Sequence, residues 1–237
     1  FEKRHSRELK RDTGRNYVGR QRQSGSRVGS SRKKFAGIDP ALFVRKAIVT
    51  TQAEVFNPKH RFADFKVDPK LKENVEKRGF TNPTPIQDGT IPFILEKRDV
   101  IGMANTGTGK TAAFLIPLIH KAMHKGGEKA LIVVPTRELA NQIDAEFHDF
   151  SARTGLRSSV CIGGANIQMQ IRRLRQDPHF IIGTPGRLKD LVERKHLDLS
   201  SFNNVVLDEV DRMLDMGFIH DMKFLLKLYQ LFQLFYV

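Results

Sequence analysis

The stretch that decides the fold is Asp99-Val100-Ile101-Gly102-Met103-Ala104-Asn105-Thr106-Gly107-Thr108-Gly109-Lys110-Thr111-Ala112-Ala113-Phe114-Leu115-Ile116. A short apolar run leads into a glycine-containing loop, and a helix-like apolar segment follows. That order of strand, loop and helix is the layout of a phosphate-binding loop. Gly107 and Gly109 let the backbone turn tightly enough for successive N–H groups to face phosphate oxygens. The helix that begins here adds the positive end of its dipole, Lys110 adds a full charge, and the Thr111 hydroxyl suits Mg²⁺. Ala104 stands where the general pattern has glycine. The segment predicts a site for a nucleoside triphosphate.

The chain around it is 237 residues long, enough for one α/β domain and an extended tail. Forty per cent of its residues are hydrophobic, which supports a core of ordinary size. The single cysteine, Cys161, excludes an internal disulfide and suits a reducing, cytoplasmic setting. No segment is apolar for the length a membrane span needs, and the charged N-terminus does not resemble an export signal. The eight histidines show no metal-ligand spacing, so no zinc site is expected.

Charge is unevenly distributed. Residues 1–34 carry twelve Lys/Arg against three acids, a net of +9 out of the chain's +14. With glycines, serines and few apolar side chains, this arm cannot repay its ordering entropy and is expected to be disordered. It reads either as a polyanion-binding arm, with RNA favoured, or as a solvated tail. Residues 35–60 read as a linker with a short helix around Pro40–Val49, and 61–237 as the folded domain.

Beyond Arg61, strand-like and helix-like segments alternate. The expected strands are Asp99–Met103, Ala130–Val134, Ser158–Ile162, Phe180–Gly183 and Val205–Leu207, each short and rich in Val, Ile or Leu. The expected helices are Pro69–Arg78, Thr84–Leu95, Thr111–His124, Arg137–Ser151, Ile167–Gln176 and Arg187–Glu193. Such alternation implies an α/β fold, a mostly parallel sheet with helices on both faces. Ligands then bind at the carboxyl ends of the strands.

Val205-Val206-Leu207 runs directly into Asp208-Glu209-Val210-Asp211. Acids leaving a buried strand can hold a metal opposite the phosphate loop and deprotonate an attacking water. Asp208 takes the first role here and Glu209 the second, with Lys110 the third catalytic residue. Three acids in four residues can also be a solvated turn, but the shared sheet argues against that.

These acids resemble the Asp-Glu-x-Asp motif of the DEAD-box RNA helicases of the bacterial type, with Val210 where alanine is usual. Ala104 fits, because that family's loop typically opens with alanine. Gly79-Phe80-Thr81-Asn82-Pro83-Thr84-Pro85-Ile86-Gln87 resembles the family's Q motif, with Phe62 at its upstream aromatic position. Pro135-Thr136-Arg137-Glu138-Leu139-Ala140, Gly163-Gly164 and Thr184-Pro185-Gly186-Arg187 resemble its three RNA-contact motifs. The resemblance covers about Arg61 to Leu226.

The resemblance implies a RecA-like P-loop domain using ATP and Mg²⁺ with RNA as partner. Gln87 and Phe62 would read and stack on adenine, while Thr84 would cap the helix of Gln87 and approach the phosphates. Ala104, Asn105, Thr106, Gly107, Thr108, Gly109, Lys110 and Thr111 would surround the triphosphate, with Thr111 and Asp208 on the metal. Pro135, Thr136, Arg137, Gly163, Gly164, Thr184, Pro185, Gly186 and Arg187 would touch the RNA backbone, a sequence-independent mode. Asp211 would couple nucleotide state to the rest of the helicase. A non-catalytic RNA-binding module is the alternative.

The family also carries a second RecA-like domain and a Ser-Ala-Thr motif on the strand after the acids, and neither is recognisable here. The expectation is an incomplete domain with negligible turnover and no unwinding by these residues alone. The family places that strand between the loop strand and the Asp208 strand. Leu231–Val237 either fills part of that slot or lies exposed and promotes aggregation.

Overall fold

A computed structural model describes residues 56–124, 127–228 and 233–236. The basic arm 1–34 and the expected helix at Pro40–Val49 lie outside the described residues.

Six strands form one parallel sheet: β1 (Val100–Ile101), β2 (Ala130–Val133), β3 (Ser158–Cys161), β4 (Phe180–Gly183), β5 (Asn204–Leu207) and β6 (Gln233–Tyr236). Their order across the sheet is β1-β6-β5-β2-β4-β3. The helices are α1 (Pro69–Lys77), α2 (Pro85–Leu95), α3 (Lys110–Met123), α4 (Arg137–Phe150), α5 (Ile167–Leu174), α6 (Pro185–Glu193), α7 (Val210–Asp215) and α8 (Ile219–Lys227).

The inner strands are apolar on both faces because both faces are covered. Ala130, Ile132, Phe180, Ile182 and Val206 pack into one core with α1 to α4. Their alternates Leu131, Val133, Ile181, Val205 and Leu207 pack into a second core with α6 to α8. The strand period of two thus splits one sheet into two separate interiors. Burying aromatic and branched side chains of this kind contributes about 1.5–3 kcal/mol each.

Four of the expected strands are present almost as read, whereas β1 is confined to two residues. Among the described residues it sits at the sheet's edge and pairs only with β6, through Val100↔Phe235 and Ile101↔Tyr236. Two helices start earlier than expected. Lys110 is already helical in α3, and α6 begins at Pro185, where a fixed φ and a missing N–H suit the first helical turn. The short helices α7 and α8 were not anticipated.

The last strand settles the alternative left open for the terminus. Gln233–Tyr236 inserts between β1 and β5, parallel to both, with Val206 opposite Phe235 and Leu207 opposite Tyr236. The slot is filled, and β5 gains its second neighbour there. A chain ending at Leu228 is therefore expected to exchange the backbone amides of Val100, Ile101 and the β6-facing half of β5 far faster than the full chain. Hydrogen exchange measures this directly, and fast exchange at both Ile101 and Val206 in the full chain would rule out the central pairing.

Candidate active site

The parallel sheet sends every strand exit to one edge. Ala104–Gly109 leaves β1 there, Pro135–Arg137 leaves β2, Gly163–Gly164 leaves β3, Thr184–Arg187 leaves β4 and Asp208 leaves β5. Because β1 and β5 flank β6 while β2, β4 and β3 lie beyond, the loop and acids occupy one half of that edge. The remaining three segments occupy the other half.

The loop is held by the segment before α2. Thr84 Oγ1 donates to Thr108 O at 2.7 Å, and Gln87 Nε2 donates to Gly109 O at 2.9 Å. Gln87 Oε1 in turn accepts the Thr84 N–H at 2.9 Å. Gly109 has φ +84°, and a Cβ there would overlap the Gln87 amide, so both backbone and packing demand glycine. Gly107 has φ +80° with open space around it, so its requirement is conformational alone. Thr108 Oγ1 closes the loop onto Asn105 O at 2.7 Å, while Thr106 is exposed.

This geometry differs from the roles expected of Gln87 and Phe62. Both ends of the Gln87 amide are committed to the protein, and the side chain is buried, so here it fastens α2 to the loop. Phe62 is only 4% exposed and sits edge-on to Phe65 and Phe80 at 5.7 and 5.5 Å. A ring enclosed by two others is core and has no open face for a base. Thr84 precedes the helix as expected, but its hydroxyl is directed to the loop carbonyl.

A cavity of about 700 Å³ opens beside the loop, lined among others by Ala104, Asn105, Lys110, Glu209 and Asp211. That is the size of a small-molecule site. Thr111, half-buried, is the second residue of α3 behind Lys110.

Asp208 is 3% exposed, and its Oδ1 has no hydrogen-bond partner among the described residues. Burial pushes its pKa up to about 6; Lys110 opposes the rise and the Glu209 carboxylate adds to it. A buried carboxylate oxygen left open, with a lysine facing it and the Thr111 hydroxyl on the adjoining helix, fits a divalent cation. Glu209 adopts φ 54°, ψ 52°, the left-handed region that costs a non-glycine residue about 1–3 kcal/mol. The turn swings its side chain to the cavity wall, where Oε2 accepts Arg212 Nη1 at 3.1 Å.

On the other half of the edge, Thr136 caps α4 by accepting the Leu139 N–H at 3.3 Å. Arg137 is exposed and its guanidinium lies over Gly164, where a Cβ would come within 2.5 Å of Nη1. Gly164, at φ +73°, therefore makes room for Arg137, while Gly163 has nothing near it and stays open. Arg187 is turned inward: Nη1 donates to Gln170 Oε1 at 3.0 Å and to Ala165 O at 3.3 Å. It orients the Gly163–Asn166 loop instead of standing free. Pro135 and Pro185 are buried, Thr184 is half-buried, and Gly186 is exposed at the start of α6. Gln170, buried and bridging Ile162 O to Arg187, was not singled out from sequence, because a lone glutamine on a helix carries no signal.

A glycine loop clamped beside an open carboxylate, on the carboxyl edge of a parallel sheet, defines a P-loop nucleotide-binding domain of RecA-like form. The chain belongs to the DEAD/DEAH box helicase family, whose model matches residues 84–235. The match runs past Leu226, where the motif resemblance was expected to stop, and includes most of β6. The chain is 46% identical over 168 residues to the ATP-dependent RNA helicase CshA of Listeria monocytogenes, covering 70% of this chain and 32% of that protein. It is 45% identical over 166 residues to the DEAD-box ATP-dependent RNA helicase CshA of Bacillus cereus, with 70% and 32% covered. It thus spans about a third of the length of these relatives.

Among solved structures, a DEAD box protein from the hyperthermophile Methanococcus jannaschii superposes with a TM-score of 0.70 at 34% identity. That alignment covers 74% of this chain and 49% of the other. A hypothetical ATP-dependent RNA helicase from Sulfolobus tokodaii gives 0.66 at 36% identity, with 70% and 49% covered.

Asp208 sets a pH dependence. Its folded pKa of about 6 lies above the unfolded value near 3.9, so the folded state holds its proton more tightly. Stability contributed by that proton is complete below about pH 4 and is lost as pH rises through 6. Asp208→Asn is expected to be more stable than the parent at pH 8, by on the order of 2–3 kcal/mol, and equal to it near pH 4. Denaturant melts at the two pH values measure the difference.

Proposed function

We propose that this chain supplies the ATP- and RNA-binding half of an ATP-dependent RNA helicase, an ATP hydrolase coupled to local RNA duplex opening in the complete protein. The observation that carries this is the open Asp208 carboxylate facing Lys110 beside a cavity large enough for a nucleotide. The family membership and the relatives' names support the same reading.

In this scheme the N–H groups of Ala104–Thr111 and the Lys110 ammonium hold the triphosphate. Thr111 and Asp208 would hold Mg²⁺, which neutralises charge on the phosphate oxygens when bound. Glu209 accepts the proton of the attacking water, and Asp211, on the same cavity wall, senses the outcome. Thr136, Arg137, Gly163, Thr184 and Gly186 present backbone and side-chain donors to an RNA strand. Pro135, Pro185, Gly164 and Arg187 shape those contacts from beneath. None of these groups is arranged to read base edges, so binding is independent of sequence.

The chain divides into a basic arm at 1–34 that adds RNA affinity, a linker from 35 and the nucleotide domain, whose start moves from 61 back to 57 because Lys59 and His60 bond Asp88 of α2. No helix among the described residues is long and apolar enough to cross a membrane, and a cytoplasmic setting suits this function. Cys161 is buried and its thiol is pushed up to about 12 by burial, so it takes no part in the chemistry.

Lys110→Ala is expected to weaken ATP binding by more than about tenfold while RNA affinity is held, as calorimetry with ATP·Mg²⁺ and fluorescence anisotropy with single-stranded RNA would measure. Unchanged ATP affinity would refute the site. Deleting residues 1–34 is expected to flatten the salt dependence of RNA binding without altering ATP affinity. A salt slope indifferent to the deletion would remove the arm from the interface.

A further inference from the structure

Residues 57–60 cross the first turn of α2 in irregular backbone, and one carboxylate pins them there. Asp88, next to Gln87, is 8% exposed. Its Oδ2 accepts the Lys59 N–H at 2.8 Å, and its Oδ1 lies 2.6 Å from His60 Nδ1. Burial alone would raise the pKa of this acid, yet the Lys59 N–H and His60 hold it below the ordinary range, so it remains an anion. A buried carboxylate is costly unless its oxygens are matched, and here two consecutive residues match both.

The latch continues towards the phosphate loop. The Arg61 N–H donates to Asp64 Oδ2 at 2.7 Å and opens a short 3-10 turn at Phe62–Asp64. Phe62, on that turn, packs on Phe80, and its N–H points at Thr81 O at 3.4 Å. Thr81 leads into Thr84, which with Gln87 grips Thr108 and Gly109. The grip on the loop involves no residue of 57–62, so it does not need the Asp88 bonds to the strap. Phe62 and Gln87 are both enclosed, whereas on the strap itself the His60 side chain is 41% exposed and Arg61 is exposed. Planar cations and imidazoles are suited to stacking on a nucleobase.

We propose that Asp88 is a positioning residue for the base end of the nucleotide. It fixes residues 59–62 against α2 so that His60 and Arg61 form a rigid surface for the base, while the loop holds the phosphates independently. This rests on the nucleotide site proposed above. Selection of ATP over a bare polyphosphate then depends on a carboxylate that touches neither.

Calorimetric titration of the 237-residue chain with ATP and with inorganic tripolyphosphate tests this. Asp88→Ala removes both latch bonds and is expected to weaken ATP binding about tenfold while tripolyphosphate changes by less than about twofold. Asp88→Asn still accepts the Lys59 N–H and can donate to His60, and is expected to restore most of the ATP affinity. His60→Ala removes one latch bond and keeps the Lys59 N–H on Asp88, and is expected to fall between them. Equal loss of both ligands in Asp88→Ala, or full ATP affinity in both alanine variants, overturns the latch while leaving the nucleotide site standing. A parent chain that binds neither ligand overturns the nucleotide site itself, and the latch with it.

Discussion

The relative placement of the phosphate loop and Asp208 depends on the pairing of β6 with both β1 and β5. Those two strands carry the phosphate loop and Asp208, and among the described residues no other strand bridges them. Parallel pairing fixes their register, so it fixes how far Lys110 stands from the buried carboxylate. Backbone hydrogen bonds left unmade at the centre of a sheet cost more than those at an edge, because water cannot replace them. A four-residue segment at the far end of the sequence therefore determines whether the two halves of the site share one frame.

Within that frame the site stores cost in two places. Asp208 is buried with one oxygen open, and Glu209 sits in the left-handed region. Each lowers the stability of the chain alone, and each places charge or backbone N–H groups where a cation and phosphates would compensate them. The Thr84 and Gln87 hydrogen bonds keep the loop from relaxing in the meantime. Under this arrangement a bound cation and phosphates would complete interactions that the cleft begins.

The parallel α/β order was legible because runs such as Ala130–Val133 and Phe180–Gly183 are apolar at every position, which only a doubly covered strand tolerates. The phosphate loop and the acids were legible because glycine spacing and strand-exit carboxylates are local patterns. Helices α7 and α8 escaped notice: α7 is six residues long, too short for a periodic stripe to rise above chance. The internal commitments of Gln87, Phe62 and Arg187 were also hidden. A residue type announces which bonds it can make, but the partner that takes them is set by distant packing.

By itself, then, the sequence determined the chemistry: a glycine loop with lysine and threonine, acids at a strand exit, and a basic N-terminal arm. Those depend on residue type and on spacing over a few positions, which short-range sterics and periodicity translate directly. Only the tertiary structure decided that residues 233–236 close the sheet, that Gly164 yields its space to Arg137, and that Asp88 fastens a strap 28 positions upstream. Contacts at that separation follow from how two cores pack against one sheet, and no local pattern encodes them.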